Sequence, residues 1–318
     1  MNSKLDLDPD SIAQRTLAAL AANRAPGFHF PGYYLQLAWP RISGQTVLQT
    51  MESGPHCLGA DGRVHPSALG VMIDGALSTA SRLAIEPGAR LATVHLNVQY
   101  TGRPARGALE MEARFEGFFS GAAARQAITR GALTSAGDLI CHASGTFVLL
   151  APPPGVKLAP LPWQNEDAVP PPPLARHELN ANERTIMRSL RAALARSDAQ
   201  RSLIEHFWGV APKPAAGGAK CRVKIEPQIG NRVGHAQGGI LLGLAQACAS
   251  AAVPGHPAVS NISVWYLSPG QGKALMARSK VLHAGRSFAV VRTEIKNADG
   301  TRVLEAVSNH AALVNDQR

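Results

Sequence analysis

The sequence predicts an α+β fold in which one plan of helices and antiparallel strands is built twice. An apolar helix followed by three or four strand patterns occurs once in each half of the 318 residues. A segment with nine prolines, residues 151–176, separates the halves, and proline excludes both helix and inner strand there. We therefore expect an N-terminal unit over 1–150, a linker over 151–176 and a C-terminal unit over 177–318.

Each half is predicted to begin with a capped helix. In the first half, Asp8 can cap a helix and Pro9 can occupy its first position. In the second half, Asn180 and Glu183 have the spacing of a capping box. The helix that follows Asn180 has one apolar face, and its arginines are predicted to form a solvated opposite face.

The next helix of each half is apolar on nearly every side. These helices are predicted over 68–83 and 238–252, and each follows a Gly/His-rich loop, at 59–67 or 231–237. Because a helix without a polar face must be covered on most sides, both are expected at the centre of their units.

Strand patterns follow each central helix. Apolar and polar residues alternate most clearly over 91–100 and 259–267. The other predicted strands cover 108–116, 125–134 and 139–150 in the first half, and 274–283, 288–297 and 302–314 in the second. Matching residues of the two halves keep a fixed offset of 172 positions, in the pairs Gly62 and Gly234, His65 and Gln237, and Asp74 and Gln246.

Composition excludes several classes of protein. The apolar run 240–253 is too short to cross a bilayer, and the polar residues 1–10 do not resemble a secretory signal. The four cysteines form no CxxC pair, and the histidines show no metal-ligand spacing, so we expect no metal site, no disulfide framework and a reducing, cytoplasmic setting.

Charge is distributed unevenly between the halves. The net charge of +10 divides into +1 for residues 1–150 and +9 for residues 151–318, which predicts an acidic partner for the second half. Aromatic residues are only 5% and no nucleic-acid recognition motif occurs, so a small anionic ligand is favoured over nucleic acid.

The loop before the second central helix carries a family resemblance. It reads Asn231-Arg-Val-Gly-His-Ala-Gln237-Gly238-Gly239. This is similar to the N-x-x-G-x-x-H-G-G signature of hotdog-fold acyl-CoA thioesterases of the phenylacetyl-CoA thioesterase type, in which an acidic residue follows nine positions after the His. The resemblance covers both halves and implies a tandem, or double, hotdog, with two antiparallel sheets that each wrap a central helix.

Each half keeps only part of that signature. The first half has His65 with Asp74 nine positions later, whereas the second half has Gln237 and Gln246 at the corresponding places. In the family the site forms between the loop of one copy and the helix acid of the other. The resemblance therefore implies one site with a carboxylate, on Asp74, and a second pairing of His65 with Gln246 that has none.

The resemblance also implies roles for the residues. At the first site, Asp74 would act as base or nucleophile, Gly238 N–H would polarise the carbonyl, and Asn231 and Gln237 would orient water or the thioester. Substrate contacts are expected from Gly239 and His65. Other interpretations stay open, in which Asp74 and His65 are structural, Asn231 is only a turn residue, and the two glycines permit close helix packing.

The coenzyme A end of the substrate is expected to contact the second half. Arg286, in a Gly-Arg pair that resembles the nucleotide-contacting strand entry of the family, is the first candidate for a phosphate contact. The weaker candidates are Arg232, Lys273, Arg278 and Lys280. An exposed hairpin arginine without a ligand is the alternative interpretation of Arg286.

The sequence thus predicts an acyl-CoA thioesterase of lipid metabolism that uses no separate cofactor, since coenzyme A is part of the substrate. It is expected to bind neither nucleic acid nor membrane. Dimers or trimers of double-hotdog chains are compatible with the resemblance. Two alternatives remain: a non-catalytic acyl-CoA or acyl-carrier binding protein, and a hotdog enoyl-CoA hydratase or dehydratase. The latter is disfavoured because Asp61 and His65 lack that branch's Asn-Pro and five-residue spacing.

Overall fold

A computed structural model describes residues 7–24, 29–86, 89–121, 124–151, 161–164 and 169–313. The elements of the first half are α1 (Pro9–Arg24), α2 (Phe30–Tyr34), β1 (Arg41–Ser43), β2 (Thr46–Glu52), α3 (Pro66–Arg82), β3 (Arg90–Tyr100), β4 (Ala108–Phe118), β5 (Gln126–Ser135) and β6 (Asp138–Leu150). Those of the second half are α4 (Ala181–Arg196), α5 (Leu203–Phe207), β7 (Lys213–Ala215), β8 (Gly218–Lys224), α6 (Gly238–Ala252), β9 (Ala258–Tyr266), β10 (Ala274–Ala284), β11 (Phe288–Asn297) and β12 (Arg302–Ala311).

Within the described ranges, the strands form one antiparallel sheet in the order β1-β2-β4-β5-β6-β3-β9-β12-β11-β10-β8-β7. The predicted fold class is confirmed, but the two expected sheets are continuous. They join because β3 pairs with β9, with Leu96 opposite Val264 and Val98 opposite Ile262. Each half-sheet curves around one central helix, α3 in the first half and α6 in the second.

The two central helices contact each other directly through glycine. A Cβ atom added to Gly70 of α3 would lie 2.1 Å from the backbone oxygen of Gly239 in α6, and a Cβ on Gly239 would lie 2.1 Å from that of Gly70. Only a residue without a side chain allows this approach. The contact brings the first turn of α6 against the middle of α3, where Asp74 lies.

Equivalent side chains cap the two central helices. His65 is the N-cap of α3, where its Nδ1 atom accepts the Ser67 N–H at 3.2 Å. Gln237 is the N-cap of α6, where its Oε1 atom accepts the Ile240 N–H at 2.9 Å. The predicted repeat of 172 positions therefore has a structural counterpart at both helix starts.

Most predicted helices and strands agree with the structure, whereas four elements of five to seven residues were not predicted. The bounds of α6 and β11 match the prediction, and Asn180 and Glu183 form the expected capping box of α4. The four elements that were not predicted are the strands β2 and β8 and the short helices α2 and α5. Each half-sheet is therefore wider than expected.

Part of the linker lies outside the described residues, namely 152–160 and 165–168. Its described part includes a 3-10 turn, Pro162–Gln164, and an irregular stretch from 169 to 175. The division into units at 151–176 stays a prediction. In the part of the chain that the structure describes, no helix has the length and apolar composition needed to cross a bilayer.

Candidate active site

Asp74 lies in the middle of α3 and is bonded to the other half of the chain. Its Oδ2 atom accepts a hydrogen bond of 2.8 Å from Gln237 Nε2, the N-cap of α6. Its Oδ1 atom accepts one of 2.9 Å from Thr93 Oγ1 on β3, and the Gly239 N–H also donates to the carboxyl. Two of these three donors belong to the second half, so the first turn of α6 orients a carboxylate of the first half.

Burial controls the protonation of Asp74. The residue is 6% exposed, and burial raises the pKa of its carboxyl from 3.8 to about 6, while the hydrogen bonds from Thr93, Gly239 and Gln237 lower it. A pKa near neutrality is suited to a group that takes and gives protons at physiological pH. A carboxylate has about four acceptor positions, and the three donors leave one for a water molecule.

The first turn of α6 fits closely around this carboxyl. A Cβ atom on Gly238 would lie 2.9 Å from Asp74 Oδ2, so a side chain at this position would displace the carboxyl. Tyr266 donates its hydroxyl to the Gly238 backbone oxygen at 2.8 Å and fixes this turn. The N–H of the first helical residue has no acceptor within the helix, and the helix dipole favours negative charge there.

Asn231 shapes the loop that leads to α6. Its Oδ1 atom accepts the backbone N–H groups of Val233 and His235, each at 3.0 Å. Asn231 therefore has the turn role that was the alternative interpretation of its sequence position. The residue also lines the cavity beside Asp74.

A cavity of about 470 Å³ opens beside Asp74. Asp74, Asn231, Gln237 and Gly238 all line it, so the structure brings the four predicted catalytic residues together. The apolar wall includes Leu37, Trp39, Leu91, Phe147, Leu161 and Trp163, of which the last two belong to the linker. The basic side chains in the wall are Arg82, Arg90, Arg232, His29 and His235.

Comparison with known proteins agrees with this architecture. Residues 227–311 match the family model described as the acyl-CoA thioesterase N-terminal domain. The chain is similar to double-hotdog acyl-CoA thioesterases. No curated protein sequence matches it.

Two solved structures show the same fold over most of their length. One is a tesB protein of Mycobacterium avium subspecies paratuberculosis, 10% identical, with 94% of this chain and 100% of that chain covered and a TM-score of 0.50. The other is the 12:0-ACP thioesterase of Umbellularia californica, 10% identical, with 85% and 95% covered and a TM-score of 0.52. At these identities the likeness establishes the double hotdog fold alone.

The second pairing of the double hotdog, His65 with Gln246, differs from the first. Gln246 Oε1 accepts the Tyr100 hydroxyl at 2.8 Å. Burial lowers the pKa of His65 to about 4, so its ring is neutral at pH 7 and serves as an N-cap acceptor. Both side chains are buried, and neither His65 nor Gln246 supplies a carboxylate.

The arginines of this double hotdog fall into two places. Arg286 is exposed on the hairpin between β10 and β11 and is absent from the lining of the cavity described above, so its phosphate contact stays a prediction. Arg232 is one of the weaker phosphate candidates in the sequence, whereas Arg82 and Arg90, which also line the cavity, were not predicted. A signal for Arg82 existed, because it follows Asp74 by eight residues on one helix.

Proposed function

We propose that the chain hydrolyses acyl-CoA thioesters at one composite site between its two hotdog halves. The observation that carries this proposal is the 2.8 Å bond from Gln237 to Asp74, which joins the halves at the wall of the cavity. It matches the family arrangement, in which the loop of one copy faces the helix acid of the other. The match of residues 227–311 to an acyl-CoA thioesterase domain supports the reaction class.

Asp74 would act as the general base that activates water. Its pKa of about 6 leaves the carboxylate ionised at pH 7, and its remaining acceptor position can hold a water molecule. The carboxylate removes a proton as the water oxygen attacks the thioester carbon. The same proton can then return to the departing thiolate of coenzyme A. Water is the only co-reactant, and no separate cofactor takes part.

The first turn of α6 would stabilise the developing oxyanion. Gly238 N–H lies at the start of a 15-residue helix, where it has no acceptor within the helix and the dipole favours negative charge. Gln237 replaces the family His and has no acid–base group, so in this chain it serves to hold Asp74 in position. The removal of one oxyanion donor typically costs about a hundredfold to a thousandfold in kcat.

Substitution of Asp74 tests the proposal. We expect Asp74→Asn to abolish hydrolysis across a panel of acyl-CoA thioesters from acetyl to palmitoyl, and wild-type kcat/KM to rise with pH through about 6 as the base ionises. The matched control is Asp61→Asn, an exposed loop residue outside the cavity lining. Full activity of Asp74→Asn with every thioester would overturn the assignment.

The alternative is a non-catalytic acyl-CoA binding protein. The observation in its favour is Gln237, which supplies no acid–base group where the family has a histidine. Calorimetric binding of a non-hydrolysable acyl-CoA thioether separates the two functions. Binding without turnover of any thioester would favour the alternative, whereas turnover that depends on Asp74 excludes it.

Arg286 would bind phosphate groups of coenzyme A from its exposed hairpin. Arg286→Ala is then expected to raise KM for acyl-CoA and to leave kcat unchanged, because the contact is remote from the reacting atoms. Unchanged KM for both acyl-CoA and acyl-pantetheine would show that this arginine is only a solvated hairpin residue.

A further inference from the structure

The cavity beside Asp74 has a strongly basic wall. Arg82, Arg90 and Arg232 all line it, and Asp74 is the only acid among its described lining residues. No ion pair between described residues includes Arg82 or Arg90. Arg82 is half-buried, and its Nη1 atom donates to a backbone oxygen, that of Ala89, at 3.1 Å. These guanidinium groups therefore leave the cavity with excess positive charge.

The basic groups in this wall act on one another. Burial, and then the charge of Arg232, lower the pKa of the Arg82 guanidinium to about 10. Burial, and then the charge of Arg90, lower the pKa of His235. Like charges held together in a partly desolvated place repel each other. An anion bound among them would relieve that repulsion and could accept paired hydrogen bonds from the planar guanidinium groups.

The position of Arg82 limits the distance of such an anion from the reacting atoms. Arg82 and Asp74 lie eight residues apart on α3, which corresponds to about 12 Å along the helix axis. Both residues line the same cavity. With a thioester carbon beside Asp74, the anion would therefore lie within about 12 Å of the reacting bond along that axis.

Two parts of an acyl-CoA could supply the anion. An extended chain advances about 1.2 Å per bond, so the diphosphate of coenzyme A, about 13 bonds from the sulfur, lies about 16 Å away. A carboxylate about seven bonds beyond the thioester carbon lies about 8 Å from it. The shorter of these two lengths fits the distance between Asp74 and Arg82 along the axis of α3, when the substrate contacts Asp74 at one end and Arg82 at the other.

We propose that Arg82, Arg90 and Arg232 bind a carboxylate at the far end of the acyl group, so that the preferred substrates are thioesters of dicarboxylic acids. This inference rests on the proposed thioesterase function. Planar guanidinium groups match a carboxylate through paired hydrogen bonds, which gives specificity for charge as well as affinity.

The test compares suberyl and octanoyl thioesters, which share an eight-carbon chain and differ in the terminal carboxylate. Each is supplied on coenzyme A and on N-acetylcysteamine, which has no phosphate. We expect wild type to prefer suberyl on both carriers. Arg82→Met should lower kcat/KM for suberyl thioesters about tenfold to a hundredfold and leave octanoyl thioesters nearly unchanged. Arg90→Met is the second variant, and Arg191→Met, on the exposed face of α4, is the control.

Three results would overturn the inference. Equal loss by Arg82→Met and Arg90→Met on both acyl groups, limited to coenzyme A, would assign the arginines to phosphate. No preference for suberyl on either carrier would remove the carboxylate site. If no thioester is hydrolysed, the proposed function fails. Calorimetry with free suberate then tests the carboxylate site by itself. Suberate that binds wild type and not Arg82→Met supports the carboxylate site, and absence of suberate binding to wild type refutes it.

Discussion

Replacement of Asp74 by asparagine should remove a pH-dependent loss of stability. Burial raises the pKa of this carboxyl from 3.8 to about 6. The folded chain therefore holds the proton more tightly than the unfolded chain, so ionisation favours unfolding. The stability that this shift contributes is fully present below the pKa of the unfolded chain, and it is lost as pH rises through the pKa of the folded chain. The difference between 3.8 and about 6 corresponds to about 3 kcal/mol.

The measurement is the free energy of unfolding in urea from about pH 4 to pH 8, for wild type and Asp74→Asn. Because asparagine does not ionise, the stability of wild type minus that of the variant should fall by about 2 kcal/mol over this range, since the unfolded carboxyl is already more than half ionised at pH 4. Any constant effect of the substitution cancels in that change. Asp299→Asn is the control of opposite sign, because hydrogen bonds from Thr301 lower the pKa of Asp299. A difference that is independent of pH for Asp74→Asn would refute the reasoning.

Three further substitutions test separate parts of the structure. Gln237→Ala removes a hydrogen bond that lowers the pKa of Asp74, so the pH–rate profile should shift to higher pH, and an unchanged profile would contradict this. Gly70→Ala places a Cβ atom 2.1 Å from the backbone of α6, and it should lower the free energy of unfolding by about 1–3 kcal/mol or more. The Tm measures this, with Gly255→Ala in open space as control. Asn180→Ala removes the cap of α4 and should cost about 1 kcal/mol in urea unfolding.

Local signals account for the parts of the fold that the sequence predicts well. The start of α6 is marked by Gln237 followed by two glycines, and its end precedes Pro254, so its bounds could be predicted. Strand β2 was missed although buried and less buried residues alternate along it, because polar Gln49 is among the buried ones. Pairing of β3 with β9 depends on an edge-to-edge contact between the halves, and no pattern within one strand specifies such a partner.

The candidate site also contains one contact that the sequence predicts and others that it does not. The pairing of Asp74 with Gln237 followed from the internal repeat and the family arrangement, and the two side chains lie in contact. Thr93 was missed because its contact with Asp74 depends on how β3 crosses α3. Arg82 was missed although it follows Asp74 by eight residues on α3, because the repeat carries no information on which helix face borders a cavity.

Fusion of the two halves into one chain has a genetic consequence. In a symmetric homodimer, every substitution is expressed twice, once at each of two equivalent sites. Here a codon change alters one half only, so the two halves are free to diverge. Gln246 could replace an acid in α6 while Asp74 stayed in α3, and Gln237 could replace a histidine while His65 stayed. Two equivalent positions can thereby become unequal, as Asp74 with Gln237 and His65 with Gln246 now are.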